Sequence, residues 1–471
     1  MFGKFCIILF TASTLFASQK EPKIAVVGAG LSGLTCAYRL HEKGLNVEIY
    51  EARNRVGGRV FTVDMMGHIA ELGGQNILDG GEATHILALI DQMGLETEGR
   101  KSLVHLHYCD QEGIVTMGQL LKSHGFTSQS AAARLQAISQ KAQNMQQVLQ
   151  ALFKEDDRLY KICSAMLSGY EGATVEKLSI FYIETLYHLL LGGISAVHQS
   201  REEELACVDN LMVKGGNYLL AERLASKLPN HVHHNHRLVE LAKNPEGSYL
   251  LTFQQGNTVV ADIVILTMPC PVYKDISISE EAIPGKKRLE IESMEYGTTT
   301  KILLPILPTQ ANKGAYTNGR AVTFMNRDDY VLNLYYIEGY GKFTQATIDE
   351  TLQIDLPFVQ QNYALESSLH AVFAEDLPFA SYMTPVGYSW PNDPFAKGSY
   401  SCIGAGQEEA FTSTLEIAGE RVKTLFAPID NRLFFAGEHT SILFDVGGTM
   451  EAAVESGDRI ARLVEKCALK N

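Results

Sequence analysis

Residues 23–33 read Lys-Ile-Ala-Val-Val-Gly-Ala-Gly-Leu-Ser-Gly, and this stretch decides the fold of the chain. The apolar, β-branched run 24–27 predicts a buried strand of a parallel sheet. Three glycines with the spacing G-x-G-x-x-G follow it, namely Gly28, Gly30 and Gly33. The first permits a tight turn, the second lets the backbone approach a pyrophosphate, and the third lets a helix pack closely on the strand. That helix is predicted over 34–43.

A second strand, over 46–50, ends at Glu51. A carboxylate at this point, about 20 residues after the glycines, is typical of a dinucleotide fold, where it binds a ribose hydroxyl. The strand, the glycine turn, the helix and the acid together indicate a dinucleotide-binding unit of the α/β class. A glycine-rich turn of no special role is the alternative.

Length and charge restrict the classes of function that fit the chain. Its 471 residues leave room for two or three domains and a large core. The formal net charge of −14 argues against nucleic acid as a partner. It mildly favours cationic ligands, although an acidic surface that only keeps the protein soluble is the commoner explanation. No apolar stretch reaches the length of a transmembrane helix, so no stable membrane span is expected.

The first 17 residues differ from the rest of the chain. Lys4 is their only charge, and a mostly apolar run over 5–16 precedes the small residues Ala17 and Ser18. This pattern is typical of a secretory signal peptide, so we expect export to a periplasm or out of the cell. Leu15 occupies a position where cleavage prefers a small residue, and an apolar N-terminus without a targeting role is the alternative.

Cysteines and histidines give little sign of a metal site. Eight cysteines are present without C-x-x-C spacing, which fits neither a disulfide framework nor a zinc site, although a single disulfide stays open. Four histidines cluster in one short segment: His231, His233, His234 and His236. In an extended strand these side chains point to both faces, so we expect a solvated edge strand and no metal.

A second glycine-rich turn follows Glu51, since residues 51–59 read Glu-Ala-Arg-Asn-Arg-Val-Gly-Gly-Arg. Two adjacent glycines let backbone N–H groups face a phosphate, and Arg59 can donate a fork of hydrogen bonds to it. Arg53 is expected to bind the ligand as well, whereas Arg55 is expected to be solvated.

With these two turns, the chain resembles the flavin-containing amine oxidases and their wider FAD superfamily. Four later motifs resemble the same family in the same order: Glu71-Leu72-Gly73-Gly74-Gln75, W-x-x-D-P-x-x-x-G-S-Y over 390–400, the apolar strand and Gly-Glu pair over 433–438, and Gly447-Gly448-Thr449-Met450-Glu451. The distinctive 390–400 segment contains the only tryptophan of the chain.

The resemblance implies a two-domain architecture. A Rossmann-type FAD-binding domain is expected from 22–82, 207–275 and 399–466, with an inserted α+β substrate-binding domain from 83–206 and 276–398. Helical patterns predict one long helix over 127–155 and a second over 177–191 within the insertion.

The resemblance also implies which residues surround FAD. The expected cofactor-binding residues are Gly28, Gly30, Leu31, Ser32, Gly33, Glu51, Ala52, Arg53, Gly58, Arg59, Gly73, Gly74, Gln75, Leu238, Gly437, Glu438, Thr449 and Met450. The expected catalytic residues are Lys301, which matches a lysine bonded through water to flavin N5, and Tyr400, which matches the first aromatic wall of a substrate cage. A strand-edge lysine without this role is the alternative for Lys301.

The resemblance further implies the character of the substrate pocket. The expected substrate residues are Tyr400, Trp390 and Thr449, and Thr449 occupies the position of a second aromatic wall, so one side of the cage is expected to be open. Ser399 replaces the cysteine that forms a covalent flavin bond in part of the family, so FAD is expected to be noncovalent. No arginine follows Gln75 closely, which disfavours an amino acid as substrate.

The sequence therefore predicts an FAD-dependent enzyme that oxidises an amine C–N bond to an imine or aldehyde, with O2 reduced to H2O2. Another FAD oxidase or desaturase of the same superfamily, such as a porphyrinogen oxidase or carotenoid desaturase, is one alternative. A non-catalytic FAD-binding protein is the other.

Overall fold

The computed structural model describes residues 21–78, 83–101, 106–155, 157–196, 208–307, 315–325, 330–337, 345–362, 364–365 and 370–468. The predicted leader, 1–17, lies outside these residues. Within them, no helix is both long and apolar enough to cross a membrane. The described cysteines form no disulfide.

A five-stranded parallel sheet holds the glycine turn. Its strands, in spatial order, are Val232–His233, Val47–Tyr50, Ile24–Val27, Ile263–Leu266 and Leu433–Phe435. The central strand is fully buried because sheet neighbours flank it, helices cover one face of the sheet, and a four-stranded sheet that contains Tyr249–Phe253 packs against the other. The carboxyl ends of these strands meet at one edge, which is where open α/β sheets bind ligands.

The second large element of the fold is a mostly antiparallel sheet. Its strands in the described residues are Val372–Phe373, Val386–Ser389, Thr300–Leu307, Val331–Tyr336, Ala321–Met325, Ala315–Thr317, Leu106–Asp110 and Gly113–Thr116, with Ala364–Leu365 paired to Thr300–Leu307. In the central pair, Lys301 lies directly opposite Tyr335. Alternate residues of these strands therefore share one face of the sheet.

Four smaller sheets complete the strands of the described residues. They consist of Thr258–Ala261, Tyr249–Phe253, Leu238–Lys243 and Ser277–Ile278; Ser381–Tyr382, Thr62–Met65 and His68–Glu71; Ile77–Leu78, Val208–Val213 and Thr97–Lys101; and the hairpin Thr414–Ile417 with Glu420–Lys423.

Helices cover the sheets and fill the space beside the large one. The α-helices of the described residues are Leu31–Glu42, Thr84–Gln92, Met117–Ser123, Ser128–Ser139, Met145–Leu152, Arg158–Glu171, Ile183–Ala196, Tyr218–Ser226, Gly285–Glu292, Gln345–Asn362, Glu408–Thr412 and Met450–Ala468. Short 3-10 turns are Ile180–Tyr182, Cys270–Asp275, Trp390–Asn392, Thr424–Phe426, Glu438–Thr440 and Phe444–Val446. The first and last α-helices pack against each other beside the parallel sheet.

The predicted long helix over 127–155 is wrong, because two helices, Ser128–Ser139 and Met145–Leu152, occupy this stretch. The Asn144 side chain accepts a hydrogen bond from the N–H of Gln147 and so starts the second helix. The helix predicted over 177–191 begins later, at Ile183, after a 3-10 turn. An amphipathic pattern alone does not reveal such a break, since the apolar period continues across it.

The first helix begins at Leu31, three residues before the predicted start. Gly28 adopts a φ of +111°, a conformation that favours glycine. A Cβ on Gly33 would lie 2.1 Å from the Gly28 carbonyl oxygen, so only glycine lets the helix pack this closely. The division into two domains stays a prediction, although the strands of the parallel sheet come from the three segments assigned to the nucleotide domain.

Candidate active site

A cavity of about 710 Å³ lies where the edge of the parallel sheet meets the large sheet. It falls within the range of small-molecule and cofactor pockets. The cavity is lined by each predicted site residue except Gly33, namely Gly28, Gly30, Leu31, Ser32, Glu51, Ala52, Arg53, Gly58, Arg59, Gly73, Gly74, Gln75, Leu238, Lys301, Trp390, Tyr400, Gly437, Glu438, Thr449 and Met450. Gly33 instead serves the helix–strand packing described above.

Glu51 is fixed at the end of its strand. One carboxylate oxygen accepts a hydrogen bond from the N–H of Ala29 at 2.7 Å, and the other accepts one from the N–H of Arg53 at 2.9 Å. Each oxygen keeps a lone pair for a further donor. The carboxylate can therefore accept hydrogen bonds from the two hydroxyls of a ribose without moving.

The helix Leu31–Glu42 directs its N-terminus at the cavity. Gly30 precedes it and offers no side-chain cap, and no acidic residue lies in the first turn. The N–H groups of that turn have no acceptor inside the helix, and the helix dipole adds partial positive charge there. A Cβ on Gly30 would meet no atom within 4 Å, so its surface opens onto free space. This end is suited to a phosphate.

Arg59 and Glu438 form an ion pair on the cavity wall. The guanidinium donates to Glu438 at 2.9 Å and to the Ser399 carbonyl at 2.7 Å, while Glu438 also accepts hydrogen bonds from the N–H and hydroxyl of Ser401. Burial alone would raise the pKa of Glu438, but Arg59, His439 and Ser401 together hold it below its usual value. The carboxyl is therefore ionised and paired.

Two arginines of the second turn have structural partners. The Arg53 guanidinium donates to Asp393 at 2.6 Å and to Asp376 at 3.2 Å, so its side chain is engaged by carboxylates while its backbone lines the cavity. The expectation that Arg55 is solvated is wrong, since its side chain is 3% exposed and is paired with Asp376. The Trp390 indole donates to the Leu72 carbonyl at 3.1 Å, which ties the 390–400 segment to the glycine pair.

Lys301 is buried with its ammonium at the cavity. It donates to the carbonyls of Gly73 and Glu71, at 2.8 and 3.1 Å, and to the Gln75 side chain at 3.3 Å. The ammonium thus holds the Gly73–Gln75 segment on the cavity wall. Burial raises the pKa of the Glu71 carboxyl to about 7, against hydrogen bonds from Asn217 and Thr62 and the charge of Lys301, which lower it.

Tyr400 is confined by two glycines. A Cβ on Gly172 would lie 2.8 Å from its ring, and a Cβ on Gly448 would lie 2.7 Å from it, so both close approaches require glycine. Its hydroxyl donates to the carbonyls of Gly169 and Tyr170, at 3.1 and 3.0 Å, in the last turn of the helix Arg158–Glu171. Those carbonyls accept no hydrogen bond from an N–H group of the helix itself, because they lie in its last turn. Burial raises the pKa of the phenol well above its usual value.

Thr449 lines the cavity, but its hydroxyl serves the last helix. It donates to the Val446 carbonyl at 2.6 Å and accepts a hydrogen bond from the N–H of Ala452 at 3.2 Å. This is the geometry of a helix N-cap. Thr449 and Met450 both line the cavity, so the start of the helix Met450–Ala468 forms part of its wall.

The structure adds residues to the pocket that the sequence did not reveal. Among them are Met166 and Tyr170 in the helix before Gly172, Val322, Phe324 and Tyr335 on the large sheet, and Thr299, which directly precedes the strand Thr300–Leu307. Val322 and Phe324 lie two residues apart on one strand, and Thr299 lies two residues before Lys301 at the start of another, which is the period-2 signal that could have identified them. Their common face was not predictable without the strand pairing.

The histidine cluster lies at the edge of the parallel sheet. His231 and His233 both contact the carboxylate of Glu48, at 3.3 and 2.7 Å. His233 stacks on Tyr50. His236 lines the cavity, as do Glu51 and the Gly30 turn. Among the described residues, no group of three or more metal-binding side chains has a geometry that could hold a metal ion.

These residues fit a flavin dinucleotide. The ribose acceptor Glu51, the uncapped helix start at Gly30 and the glycine pair Gly73-Gly74 follow one another around one continuous cavity. A Cβ on Gly74 would come within 3.2 Å of the Met450 side chain, so glycine at this position lets the Gly73–Gln75 segment pack closely against the start of the last helix. Lys301 lines the same cavity. The lining residues thus agree with a ligand that carries a ribose, a pyrophosphate and a flavin.

Comparison with known proteins gives one consistent family. The family model described as flavin containing amine oxidoreductase matches residues 31–465. Polyamine oxidase 5 of Oryza sativa subsp. japonica is 25% identical over 460 residues, which cover 93% of this chain and 87% of that protein. The L-amino-acid oxidase of Demansia vestigiata is 24% identical over 483 residues, with 96% of this chain and 88% of that protein covered.

Solved structures show the same fold. Wild-type putrescine oxidase bound to putrescine has a TM-score of 0.66 at 18% identity, covering 94% of this chain and 98% of that one. Cyclohexylamine oxidase from Brevibacterium oxydans IH-35A has a TM-score of 0.68 at 17% identity, covering 95% of this chain and 99% of that one. The predicted Rossmann-type fold with an inserted α+β region is confirmed.

Proposed function

Because this chain belongs to the flavin-containing amine oxidoreductases, we propose that it oxidises amines whose carbon body is apolar and contains a ring. The enzyme uses FAD to oxidise an amine C–N bond to an imine, and O2 takes up the two electrons and two protons as H2O2. This function is the predicted one, and the family match favours it over the desaturase and porphyrinogen oxidase alternatives.

The observation that carries the proposal is the aromatic lining of the substrate end. Tyr170, Phe324, Tyr335 and Tyr400 line this part of the cavity together with the apolar Met166 and Val322. Rings of this kind stabilise an apolar body by burial and an ammonium through their π faces. A cyclic or aromatic amine uses both interactions.

The charges of the described lining also favour a single amino group. Its charged residues are Glu51, Arg53, Arg59, Arg237, Lys301 and Glu438. Of the two carboxylates, Glu51 accepts two backbone N–H groups and Glu438 is paired with Arg59. A second ammonium buried among the rings would need a carboxylate partner, because an unpaired charge in an apolar site is costly.

We propose the following roles for the site residues. Glu51 would hold the adenosine ribose, the Gly30 turn and Arg59 the pyrophosphate, and the Gly73–Gln75 segment with the start of the last helix the flavin. When bound, FAD supplies the redox chemistry. Lys301 donates hydrogen bonds from Nζ to this segment and holds it in place, and Tyr400 orients the amine and excludes water.

The amine preference is tested by peroxide release from a panel of substrates. We expect kcat/KM for benzylamine or cyclohexylamine to exceed that for putrescine and spermidine at least tenfold, because the second ammonium of a diamine loses its hydration in an apolar pocket. Hexylamine controls for chain length without a ring or a second charge. A preference for putrescine or spermidine over all monoamines would contradict the proposal.

We further propose that the protein is exported through residues 1–17. Support comes from the sequence: one positive charge, an apolar run and small residues near the expected cut. The intact mass of the protein isolated from its native host should correspond to loss of this leader. A mass that includes residues 1–17 would contradict export by cleavage.

A further inference from the structure

We propose that Tyr335 is the second aromatic wall of the substrate pocket, in place of the residue at position 449. This inference deepens the proposed function of the same site and rests on it for the nature of the amine. It makes Tyr335, on the large sheet, a specificity-determining residue in place of a residue at the helix start where the family pattern places the wall.

The strand Val331–Tyr336 presents Tyr335 to the cavity. Its neighbours Leu334 and Tyr336 are both 0% exposed and belong to the core on the other face, whereas Tyr335 is only half-buried and lines the cavity. Directly opposite Tyr335 on the paired strand is Lys301. The Lys301 ammonium lies 5.9 Å from the centre of the Tyr335 ring. The ring is thus next to the lysine end of the cavity.

A chain of hydroxyl groups fixes the Tyr335 ring beside Tyr400. The two phenol oxygens are 3.2 Å apart, and the Tyr335 oxygen is 3.1 Å from the hydroxyl of Thr299. Thr299 in turn donates to Ser399 at 3.0 Å. These contacts join three segments of the chain, so the two rings are held together before an amine binds.

Thr449, at the position where the family pattern places the second wall, has a structural role. The Thr449 hydroxyl caps the last helix through the N–H of Ala452 and the carbonyl of Val446. The neighbour of the Tyr400 ring on this side is Gly448, which adopts a φ of +75° and leaves no room for a Cβ. The last helix therefore gives Tyr400 a close backbone contact, while the partner ring comes from the sheet.

The consequence is a pocket in which Tyr335 and Tyr400, from two separate parts of the chain, both contact the amine. Phe324, on the next strand, lies 6.0 Å from Tyr335 between ring centres and extends the aromatic surface. Such a surface attracts a cation through the negative faces of its rings, and the attraction is stronger where the cation is desolvated. We therefore expect Tyr335 to contribute to the binding of any amine that reaches the site, and most to amines with a compact apolar body.

The test compares Tyr335→Leu, which removes the ring, with Tyr335→Phe, which removes only the hydroxyl. Tyr330→Leu, which changes an exposed tyrosine outside the cavity, is the matched control. Two readouts are used on the FAD-loaded enzyme: calorimetric binding of benzyltrimethylammonium, a cation that has no amine lone pair for oxidation, and kcat/KM for whichever amine the wild type oxidises best.

We expect Tyr335→Leu to weaken benzyltrimethylammonium binding and to lower kcat/KM about tenfold or more, and Tyr335→Phe and the control to stay within about threefold. If Tyr335→Leu fails to retain FAD, Tyr335→Met is measured instead. Unchanged binding in the variant that lacks the ring would overturn the inference, and so would an equal loss in Tyr335→Phe, which would show a structural hydroxyl. A wild-type preference for polyamines would contradict only the proposed function.

Discussion

Replacing Lys301 by Met should slow amine oxidation roughly a hundredfold while FAD stays bound. The Lys301 ammonium donates to the carbonyls of Glu71 and Gly73 and to Gln75, and its side chain is buried beside the cavity. A preorganised charge next to a reacting centre stabilises the charge that develops there, and loss of one such group costs about 10²–10³ in rate. Methionine keeps the length and apolar stem of the side chain but removes the charge and all three hydrogen bonds.

The measurement separates the two halves of the reaction. Rapid-mixing absorbance follows the loss of yellow colour when amine is added without O2, and its return when O2 is admitted. We expect the O2-dependent step to slow more than the amine-dependent one. Lys286→Met, at an exposed lysine, is the control. Equal rates to wild type in both steps would remove Lys301 from the active site and leave it as a strand-edge lysine.

Replacing Glu51 by Ala should weaken FAD binding about tenfold to a hundredfold. A hydrogen bond to a charged group contributes about 1.5–3 kcal/mol, and Glu51 is the carboxylate at the end of the second parallel strand. The substitution also leaves the N–H groups of Ala29 and Arg53 without their acceptor. The loss should therefore combine a missing ribose contact with a looser glycine turn.

Affinity is measured by titration of apoprotein with FAD. This requires dissociable FAD, which Ser399 predicts, and acid precipitation should release the yellow colour into the supernatant. Glu48→Ala is the matched control, because Glu48 lies on the same strand but contacts His231 and His233 outside the cavity. A yellow pellet would disprove noncovalent binding, and an unchanged dissociation constant would show that Glu51 serves only the backbone N–H groups of Ala29 and Arg53.

The sequence by itself determined the nucleotide end of the site. The strand, the glycine turn and the helix are contiguous, so their geometry depends on residues within one short segment. The tight turn at Gly28 and the close contact of Gly33 follow from the absence of a Cβ, whatever surrounds them. Glu51 was equally predictable, because a strand that pairs in parallel with the first must end beside the same turn.

The order of the motifs, through the resemblance to a known family, also predicted the family and assigned Lys301 and Tyr400 to one site, and both residues line the same cavity. They did not determine what the arginines do. Arg53 and Arg55 precede a phosphate-type turn, yet their guanidinium groups are buried against Asp376, and Arg53 also pairs with Asp393. A basic side chain near a glycine turn is ambiguous until its partners, hundreds of residues away in the chain, are known.

Only the tertiary structure decided the substrate end. Tyr335 faces the cavity because its strand pairs with the Lys301 strand in one register, and a shift of one residue would have buried the ring in the core. Thr449 occupies the expected position in the motif, but its hydroxyl caps the last helix. The two glycines that contact the Tyr400 ring are Gly172 and Gly448, which are far apart in the sequence. Local turns obey backbone sterics that sequence encodes directly, whereas a pocket wall depends on long-range pairing, which no single stretch of sequence contains.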